Sequence, residues 1–438
     1  MRRLVHLAVL LGLTLLILRV GPVSLNPGGE VGRTTMLLGF LLLAALLGGN
    51  TARGMGLPRV TGYILLGVVV GPGALALLGE EDVSALHLID DVAISLIALS
   101  AGGELRVSEL RRRGRSMVGI MVSEMTAVFL VAFAGVVLLA PLLPFTQGQP
   151  TTTVVVIAAV FGSIAIANSP SVAIAVITDS RSRGPVSSTV LGVTVLKDVV
   201  VIILFAVGLA AARTILQDAG LDVVFVAGLA WEVLGSLAVG TFSGWIISLY
   251  LAKHRPYSIL FMLAVAFVNA HLATALHLEV LLVSLSAGFF VENISPNEGG
   301  RFIEAVEANS LPFYALFFAL AGAKIDLASL PGLAPYVAGF VVLRALGILG
   351  GTWLGATLTH AEPQVRRYAW TGFVSQAGVT LGMVVIMSRA FPEWGGDLLT
   401  LFVAMVAVHE LVGPVLFQWA LARAGEVGAR DRLEGEGE

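Results

Sequence analysis

The sequence has no cysteine and few charged side chains. Of its 438 residues, 13% are Asp, Glu, Lys or Arg, whereas typical soluble domains carry about 25%. The lack of cysteine excludes disulfides, thiolate catalysis and cysteine-ligated metals or clusters. Hydrophobic residues make up 57% of the chain, and the mean hydropathy is +0.93. These values predict an all-α, polytopic membrane protein with no compact soluble domain.

Apolar runs of membrane-spanning length occur along almost the whole chain. Fourteen are found, at about residues 4–20, 33–49, 60–78, 85–103, 116–140, 152–178, 186–212, 223–251, 257–275, 278–292, 311–329, 333–358, 366–390 and 398–421. The first run resembles a signal peptide, but Arg19 and Pro22 break the expected cleavage pattern, so we expect a retained helix. The predicted divisions are an extra N-terminal helix and loop (1–32), a transmembrane domain (33–421) and a short cytoplasmic tail (422–438).

Positive charge is distributed unevenly between the two sides of these spans. If the N-terminus is cytoplasmic, 19 of the 26 Lys and Arg residues lie in cytoplasmic segments, five lie on the other side, and Lys197 and Arg344 lie within the membrane. This excess follows the positive-inside rule. We therefore predict about fourteen helices with both termini cytoplasmic. The Arg111-Arg112-Arg113 cluster is a topology determinant that can also contact anionic lipid.

Two triplets of spans indicate an internal inverted repeat. Each span of the first triplet, within 116–212, corresponds to a span of the second, within 333–421, that comes seven spans later. Seven is an odd number, so the second triplet is inverted relative to the first. The middle span of each triplet is interrupted by polar, helix-weakening residues, at Asn168-Ser169-Pro170-Ser171 and at Ser375-Gln376-Ala377-Gly378. Matched interruptions in opposite halves indicate a transport site at the membrane midplane. We predict two broken helices that cross there.

Lys197 and Asp198 lie near the middle of the apolar run 186–212. A charge at the bilayer centre costs roughly 2.5–3.5 kcal/mol on insertion scales, so such residues are paired, face water or carry an ion. A carboxylate holds either a proton or a small cation, and this exclusivity is the physical basis of cation/proton exchange. Asp198 is therefore the predicted ion and proton carrier and the ligand for Na+. The structural alternative is a carboxylate neutralised by a neighbour.

The interrupted spans supply uncharged oxygen atoms near that depth. Asn168, Ser169 and Ser171 are predicted to help bind the cation, because hard cations prefer oxygen ligands. Pro170 frees a backbone carbonyl about one turn earlier. Gln376, in the second interruption, is a secondary candidate. An ordinary proline kink is the alternative interpretation of the first interruption.

Two further charges lie at similar depth in the two triplets. Glu124 and Arg344 occupy corresponding spans. A buried arginine needs compensation for its charge, and Glu124 is a carboxylate at a suitable depth. We predict that Glu124 pairs with either Arg344 or Lys197, and that the pair orients the core helices. Lys197 is alternatively a proton-releasing group.

Several segments resemble the monovalent cation:proton antiporter superfamily, in its Kef-type and Nha-type branch. They are 57–67 (LPRVTGYILLG) followed by Gly71-Pro72, 167–173 (ANSPSVA), 196–202 (LKDVVVI), 375–379 (SQAGV) and Gly413-Pro414. The resemblance covers nearly all of residues 33–421. It carries the family's ion-binding aspartate onto Asp198 and its later basic residue onto Arg344.

The resemblance implies an elevator-like antiporter. A core of six helices (about 116–212 and 333–421) would move against a scaffold of the remaining helices, usually in a homodimer in the inner membrane of a prokaryote. Na+ is the expected cation, with K+ and Li+ as alternatives. The sequence departs from the family in having Lys197 where relatives commonly have Asp, Asn or Gln, so the resemblance does not assign the stoichiometry.

A different solute on the same scaffold is the main alternative function. The fixed positive charge of Lys197 would suit a channel or a carrier for another solute, including an anion. An enzyme is disfavoured, because no catalytic triad, metal-ligand spacing or nucleotide loop is evident at membrane depth. No cofactor and no nucleic-acid partner is predicted.

Overall fold

The computed structural model describes residue 12 and residues 29–105, 107–217, 223–253, 259–294, 296–325, 330–376 and 378–429. These residues form helices and connecting turns, and no strand occurs among them. The predicted span 4–20 lies outside them except for Gly12, as do residues 430–438 of the predicted tail.

The helices are numbered here in chain order. They are α1 (Gly29–Gly54), α2 (Arg59–Val70), α3 (Glu80–Ala85), α4 (His87–Glu104), α5 (Val107–Leu139), α6 (Thr151–Ala165), α7 (Pro170–Asp179), α8 (Pro185–Gln217), α9 (Val223–Lys253), α10 (Ile259–Ala275), α11 (Val280–Ile294), α12 (Pro296–Ala323), α13 (Leu330–Leu358), α14 (Pro363–Tyr368), α15 (Gly378–Ala390) and α16 (Pro392–Ala424), with a 3-10 turn (Ala369–Phe373) between α14 and α15.

The helices are long and apolar enough for a membrane protein. Seven of those in the described ranges could cross a membrane by length and composition, or eight if the bent pair Gly299–Val306 and Asn309–Ala323 is one span. Each of the thirteen predicted runs between 33 and 421 overlaps at least one helix. The all-helical, membrane-spanning fold class is therefore confirmed, while the number fourteen stays a prediction.

The described residues fall into two compact units. The first comprises those within Met1–Glu104 and Ala238–Ala328, and the second those within Leu105–Leu237 and Ser329–Glu438. In the first unit, α4 and α11 approach closely at glycines: a Cβ at Gly102 would overlap the Leu285 carbonyl, and one at Gly288 would overlap the Leu99 carbonyl. Small residues that let helix backbones approach are typical of membrane helix packing.

The second unit contains both predicted triplets. In each, two long helices flank a middle segment that is interrupted: α6 and α7 between α5 and α8, and α14, the 3-10 turn and α15 between α13 and α16. Proline occupies the first position of α7, α8, α14 and α16, where its missing N–H costs no hydrogen bond. The last helix continues to Ala424, beyond the predicted end at 421, and stops where Gly425 adopts a positive φ of 75°.

Helices α5 and α13 pack along a row of glycines spaced four residues apart. A Cβ at Gly347 would lie 3.0 Å from Val128 Cα, and one at Gly351 would lie 2.5 Å from Glu124 Cα. We expect Gly351→Ala to lower the free energy of unfolding by about 1–3 kcal/mol, because the added methyl group forces two backbones apart. Denaturation of the purified protein in detergent measures this.

Gly350 is the matched control for that substitution. A Cβ there meets no atom within 4 Å, so Gly350→Ala should leave stability unchanged or raise it slightly through helix propensity. Equal effects of the two substitutions would show that the glycine row does not set the approach of α5 and α13.

Candidate functional site

The first interruption lies between α6 and α7 and is closed by a serine cap. Helix α6 ends at Ala165, and α7 begins at Pro170 after the N-cap Ser169. The Ser169 hydroxyl accepts a hydrogen bond from Val172 N (3.3 Å) and lies 3.0 Å from the Ser171 hydroxyl. A serine cap followed by proline is a strong helix start. The predicted break is present, and it holds two of the predicted ligands side by side.

The second interruption touches the first through backbone atoms. The 3-10 turn ends at Phe373, and Val374 to Gln376 are not helical. Ser169 N donates to Ser375 O at 2.8 Å. The Gln376 side chain donates from Nε2 to Ala167 O at 3.2 Å. The two interruptions, 209 positions apart at this contact, therefore meet at one place.

Arg344 donates hydrogen bonds to backbone carbonyls at the helix ends of both interruptions. Its Nε donates to Ala165 O (2.8 Å), and one terminal nitrogen donates to Val374 O (2.6 Å). The other terminal nitrogen donates to Ala167 O (2.7 Å) and Phe373 O (3.3 Å). The side chain is only 1% exposed. A guanidinium offers five N–H groups in a fixed fork, which suits this task better than an ammonium would.

The partner expected for Arg344 was a carboxylate, and the hydrogen bonds described here go to carbonyl oxygens instead. The physical reason is that helix C-termini leave carbonyls unpaired and carry partial negative charge. The two helix ends that meet here together supply the hydrogen-bond acceptors and the negative charge that a single carboxylate would have supplied. Of the two partners considered for Glu124, the structure brings Lys197 into contact with it.

Lys197 and Glu124 form a buried ion pair. Lys197 Nζ lies 2.6 Å from Glu124 Oε2, and both side chains are 0% exposed. The ammonium also lies 5.8 Å from the centroid of the Phe373 ring, a distance at which a cation–π interaction operates. Lys197 therefore links α8, α5 and the end of the 3-10 turn. The other carboxylate oxygen, Glu124 Oε1, is buried and has no hydrogen bond to the part of the chain that the structure describes.

Asp198 follows Lys197 on α8 and is more accessible than its neighbour. It is 9% exposed, whereas Lys197 is fully buried, and its charge interacts with that of Lys197. Asn168, in the first interruption, is 3% exposed, and its Nδ2 has no hydrogen-bond partner among the described residues. Of the predicted site residues, Ser169 and Ser171 are joined by a direct hydrogen bond, whereas Gln376 bonds to Ala167 O and to His409.

His409 is a site neighbour that the sequence motifs do not mark. Its Nδ1 lies 2.9 Å from Gln376 Oε1, and the side chain is 1% exposed. It connects α16 to the second interruption. Depth within the last span was the available signal, since His409 lies mid-span in the run 398–421. Gly413, one turn further on, allows Ser375 to approach, because a Cβ there would overlap the Ser375 hydroxyl.

The described ranges contain no cluster of three or more His, Asp or Glu side chains suited to a resident metal. What they offer is the Asp198 carboxylate, which adjoins the buried Lys197–Glu124 ion pair in sequence, two serine hydroxyls at the first interruption, and a guanidinium bound to backbone carbonyls. A set of oxygen ligands with one carboxylate suits a monovalent cation, whose charge a single carboxylate balances.

A family model and several known proteins match the chain. The model of the transmembrane sodium/hydrogen exchanger covers residues 40–423. The Na(+)/H(+)-K(+) antiporter GerN of Bacillus cereus is 23% identical over 407 residues, which are 90% of this chain and 96% of GerN. The high-affinity Na(+)/H(+) antiporter NhaS3 of Synechocystis is 26% identical over 353 residues, 73% of this chain and 75% of NhaS3.

The fold has a solved counterpart. The sodium proton antiporter MjNhaP1 of Methanocaldococcus jannaschii superposes with a TM-score of 0.67 at 16% sequence identity, covering 92% of this chain and 98% of that one. At this identity the likeness establishes the fold alone. The family model spans most of the sequence, from α1 to the end of α16. The chain therefore belongs to the family of transmembrane sodium/hydrogen exchangers and is an integral membrane protein of the monovalent cation:proton antiporter superfamily.

Proposed function

We propose that the protein exchanges Na+ for H+ across the membrane, with Asp198 as the group that carries either ion. Asp198 follows Lys197 on α8, the ammonium of Lys197 lies 5.8 Å from the Phe373 ring just before the second interruption, and Asp198 keeps 9% exposure; this placement carries the proposal. Proton and cation exclude one another at one carboxylate, so each displaces the other. K+ and Li+ are alternative cations. GerN and NhaS3, whose names describe Na(+)/H(+) antiporters, support this assignment.

The uncharged groups at the interruptions would complete the cation site. Ser169 and Ser171 supply hydroxyl oxygens 3.0 Å apart, and Asn168 supplies a side-chain carbonyl. Gln376 would act indirectly, because its amide is engaged by Ala167 O and its carbonyl lies against His409. Arg344 would hold the interruptions together and neutralise the partial charge of their carbonyls.

The buried ion pair bears on the stoichiometry. Lys197 and Glu124 together have no net charge, and their 2.6 Å contact is shielded from water. If this pair remains intact during transport, Asp198 alone exchanges a bound Na+ for a bound H+. Asp198 then crosses the membrane neutralised by Na+ in one direction and by H+ in the other. We propose one-for-one exchange that moves no net charge.

The proposal also covers the number of spans, their topology and the assembly of the protein. We propose fourteen spans with inverted repeats, both termini in the cytoplasm, and residence in the inner membrane of a prokaryote. The second unit would be the moving core of an elevator-like homodimer, because it holds Asp198, Arg344 and both interruptions. Its boundaries, Leu105–Leu237 and Ser329–Glu438, are close to the core expected at 116–212 and 333–421.

The positive charge of Lys197 suggested a channel or a carrier for another solute, but the contacts of Lys197 argue against that function. An anion carrier or channel would need the positive charge of Lys197 to face its solute. Lys197 is fully buried and donates to Glu124, so that charge is already compensated. Exchange of a cation is the function that this arrangement supports best.

Transport by purified protein in liposomes tests the proposal. A pH gradient is imposed, proton flux is followed with an entrapped pH dye, and Na+, Li+ or a small anion is then added. The membrane potential is clamped with valinomycin and K+ while Na+ or Li+ is tested, and K+ is tested as a competitor. We expect Na+-driven proton flux at a rate that is independent of the clamped potential.

The outcomes separate the parts of the proposal. Flux driven only by anions would overturn cation exchange. Na+-driven flux that accelerates with the applied potential would leave exchange intact but contradict the one-for-one stoichiometry. Liposomes without protein serve as the control for passive leak.

A further inference from the structure

Glu426 lies just beyond the last helix and is buried against the start of α8. The residue is 3% exposed. Its Oε1 accepts from Val186 N at 2.7 Å. Its Oε2 accepts from Ser187 N at 2.8 Å and from the Ser187 hydroxyl at 2.5 Å. Both carboxylate oxygens thus cap N–H groups that a helix start leaves unpaired, and the negative charge lies at the positive end of the helix dipole.

The backbone around Glu426 binds the end of α7 as well. Glu426 O accepts from Arg183 N at 3.3 Å, and Gly428 N donates to Ser180 O at 3.0 Å. Gly184 leaves room for this contact, because the three atoms nearest to a Cβ built there are Cδ, Cγ and Oε1 of Glu426. The segment 425–428 therefore holds the end of one helix and the beginning of the next.

Of the two helices held at this end, α7 begins beside Ser169 and Ser171 at its other end, and α8 carries Asp198 near its middle. Helix α7 has ten residues, so its first residue, next to Ser169 and Ser171, lies about 15 Å from the contact. On α8, Asp198 lies about 20 Å from Pro185 by the helical rise. A change in how 425–428 holds these ends would move the serine hydroxyls relative to the carboxylate. The affinity of a cation site depends on the distances between its oxygen ligands.

We propose that Glu426 is a positioning residue that sets cation affinity by fixing α7 and α8 relative to each other. This inference rests on the proposed function, since it takes Asp198 and the two serines as the cation ligands. Glu426 touches neither ion. It acts through the two helices, and its effect should fall on the half-saturating Na+ concentration more than on the maximal rate.

The test is a double-mutant cycle of Glu426→Ala and Gly184→Ala in the full chain, assayed for exchange in liposomes. Each single substitution should raise the half-saturating Na+ concentration about fivefold and change the maximal rate less than about twofold. The double variant should resemble the single variants, because Gly184→Ala acts only by displacing a side chain that Glu426→Ala has removed. Independent effects would multiply to about 25-fold.

Two more variants keep the test informative if an alanine variant folds poorly. Glu426→Gln preserves the shape of the side chain but has one acceptor oxygen for three donors, so we expect an intermediate effect. Glu393→Ala removes an exposed acid in the first turn of α16 and should behave like the parent. Parent-like Na+ dependence in Glu426→Ala and Glu426→Gln, even with reduced thermal stability, overturns the proposal.

Amide hydrogen exchange provides a readout that does not depend on transport. In Glu426→Ala, exchange should accelerate at residues 185–188, and also over 170–174 and 194–199 near the site. Acceleration confined to 185–188 would overturn the positioning role. If the parent protein exchanges no cation, the proposed function fails, whereas hydrogen exchange still decides whether Glu426 governs the geometry of α7 and α8.

Discussion

Asp198→Asn should abolish cation/proton exchange while the protein remains folded. Asparagine has nearly the same shape as aspartate, but it can neither take up a proton nor balance the charge of a cation. Loss of a group that must both accept and release a proton costs on the order of 100- to 10,000-fold in rate. We therefore expect Na+-driven proton flux in liposomes to fall below about 1% of the parent rate.

Asp397→Asn is the matched control for this experiment. Asp397 lies in α16 of the same unit and is exposed, so the variant should exchange at the parent rate. Asp198→Glu should retain part of the activity, because it keeps a carboxylate and shifts it by one methylene. An Asp198→Asn protein that exchanges at the parent rate would rule out Asp198 as the carrier.

Glu124→Gln should be strongly destabilising. It leaves the buried ammonium of Lys197 without its compensating charge, whereas the parent pair is fully buried at 2.6 Å. Removing one member of a buried ion pair costs about 3–5 kcal/mol. Denaturation in mixed detergent micelles should show this loss of unfolding free energy, and Lys197→Met should show a loss of similar size.

The double variant Glu124→Leu with Lys197→Met separates pairing from transport. Replacing both charges by apolar side chains removes the uncompensated charge, so we expect stability within about 1–2 kcal/mol of the parent. Because Asp198 is retained, the double variant should still exchange one Na+ for one H+. A stable double variant that has lost exchange, or that has become sensitive to membrane potential, would show that the pair takes part in moving charge.

The sequence predicted the parts of the site that depend on local signals. Pro170 follows a serine that can cap a helix, so the first break could be located to within a few residues. Proline alone is a weaker signal, because Pro312, Pro335 and Pro414 lie inside helices. The depth of Arg344 and Lys197 in apolar runs predicted that one of them pairs with Glu124, a carboxylate at a similar depth, but not which one. The second interruption has no proline and was located by its polar and small residues.

The remainder depended on contacts that have no sequence signature. The partners of Arg344 are backbone carbonyls, which every residue possesses, so no side chain marks them. Glu426 lies in a stretch that reads as a solvated tail, yet it is buried. Its role follows from the positive φ of Gly425, which turns the chain toward α8, and this turn is a tertiary outcome that residue type alone does not decide.

The hydrogen bond from Ser169 N to Ser375 O has a consequence for how this scaffold diversifies. The atoms of this joint belong to the main chain, and the acceptors of Arg344 do as well. Substitution of the neighbouring side chains changes the lining of the ion site without deleting the joint itself. Ion preference can therefore change through substitutions near the joint while the backbone contact between the two interruptions is kept.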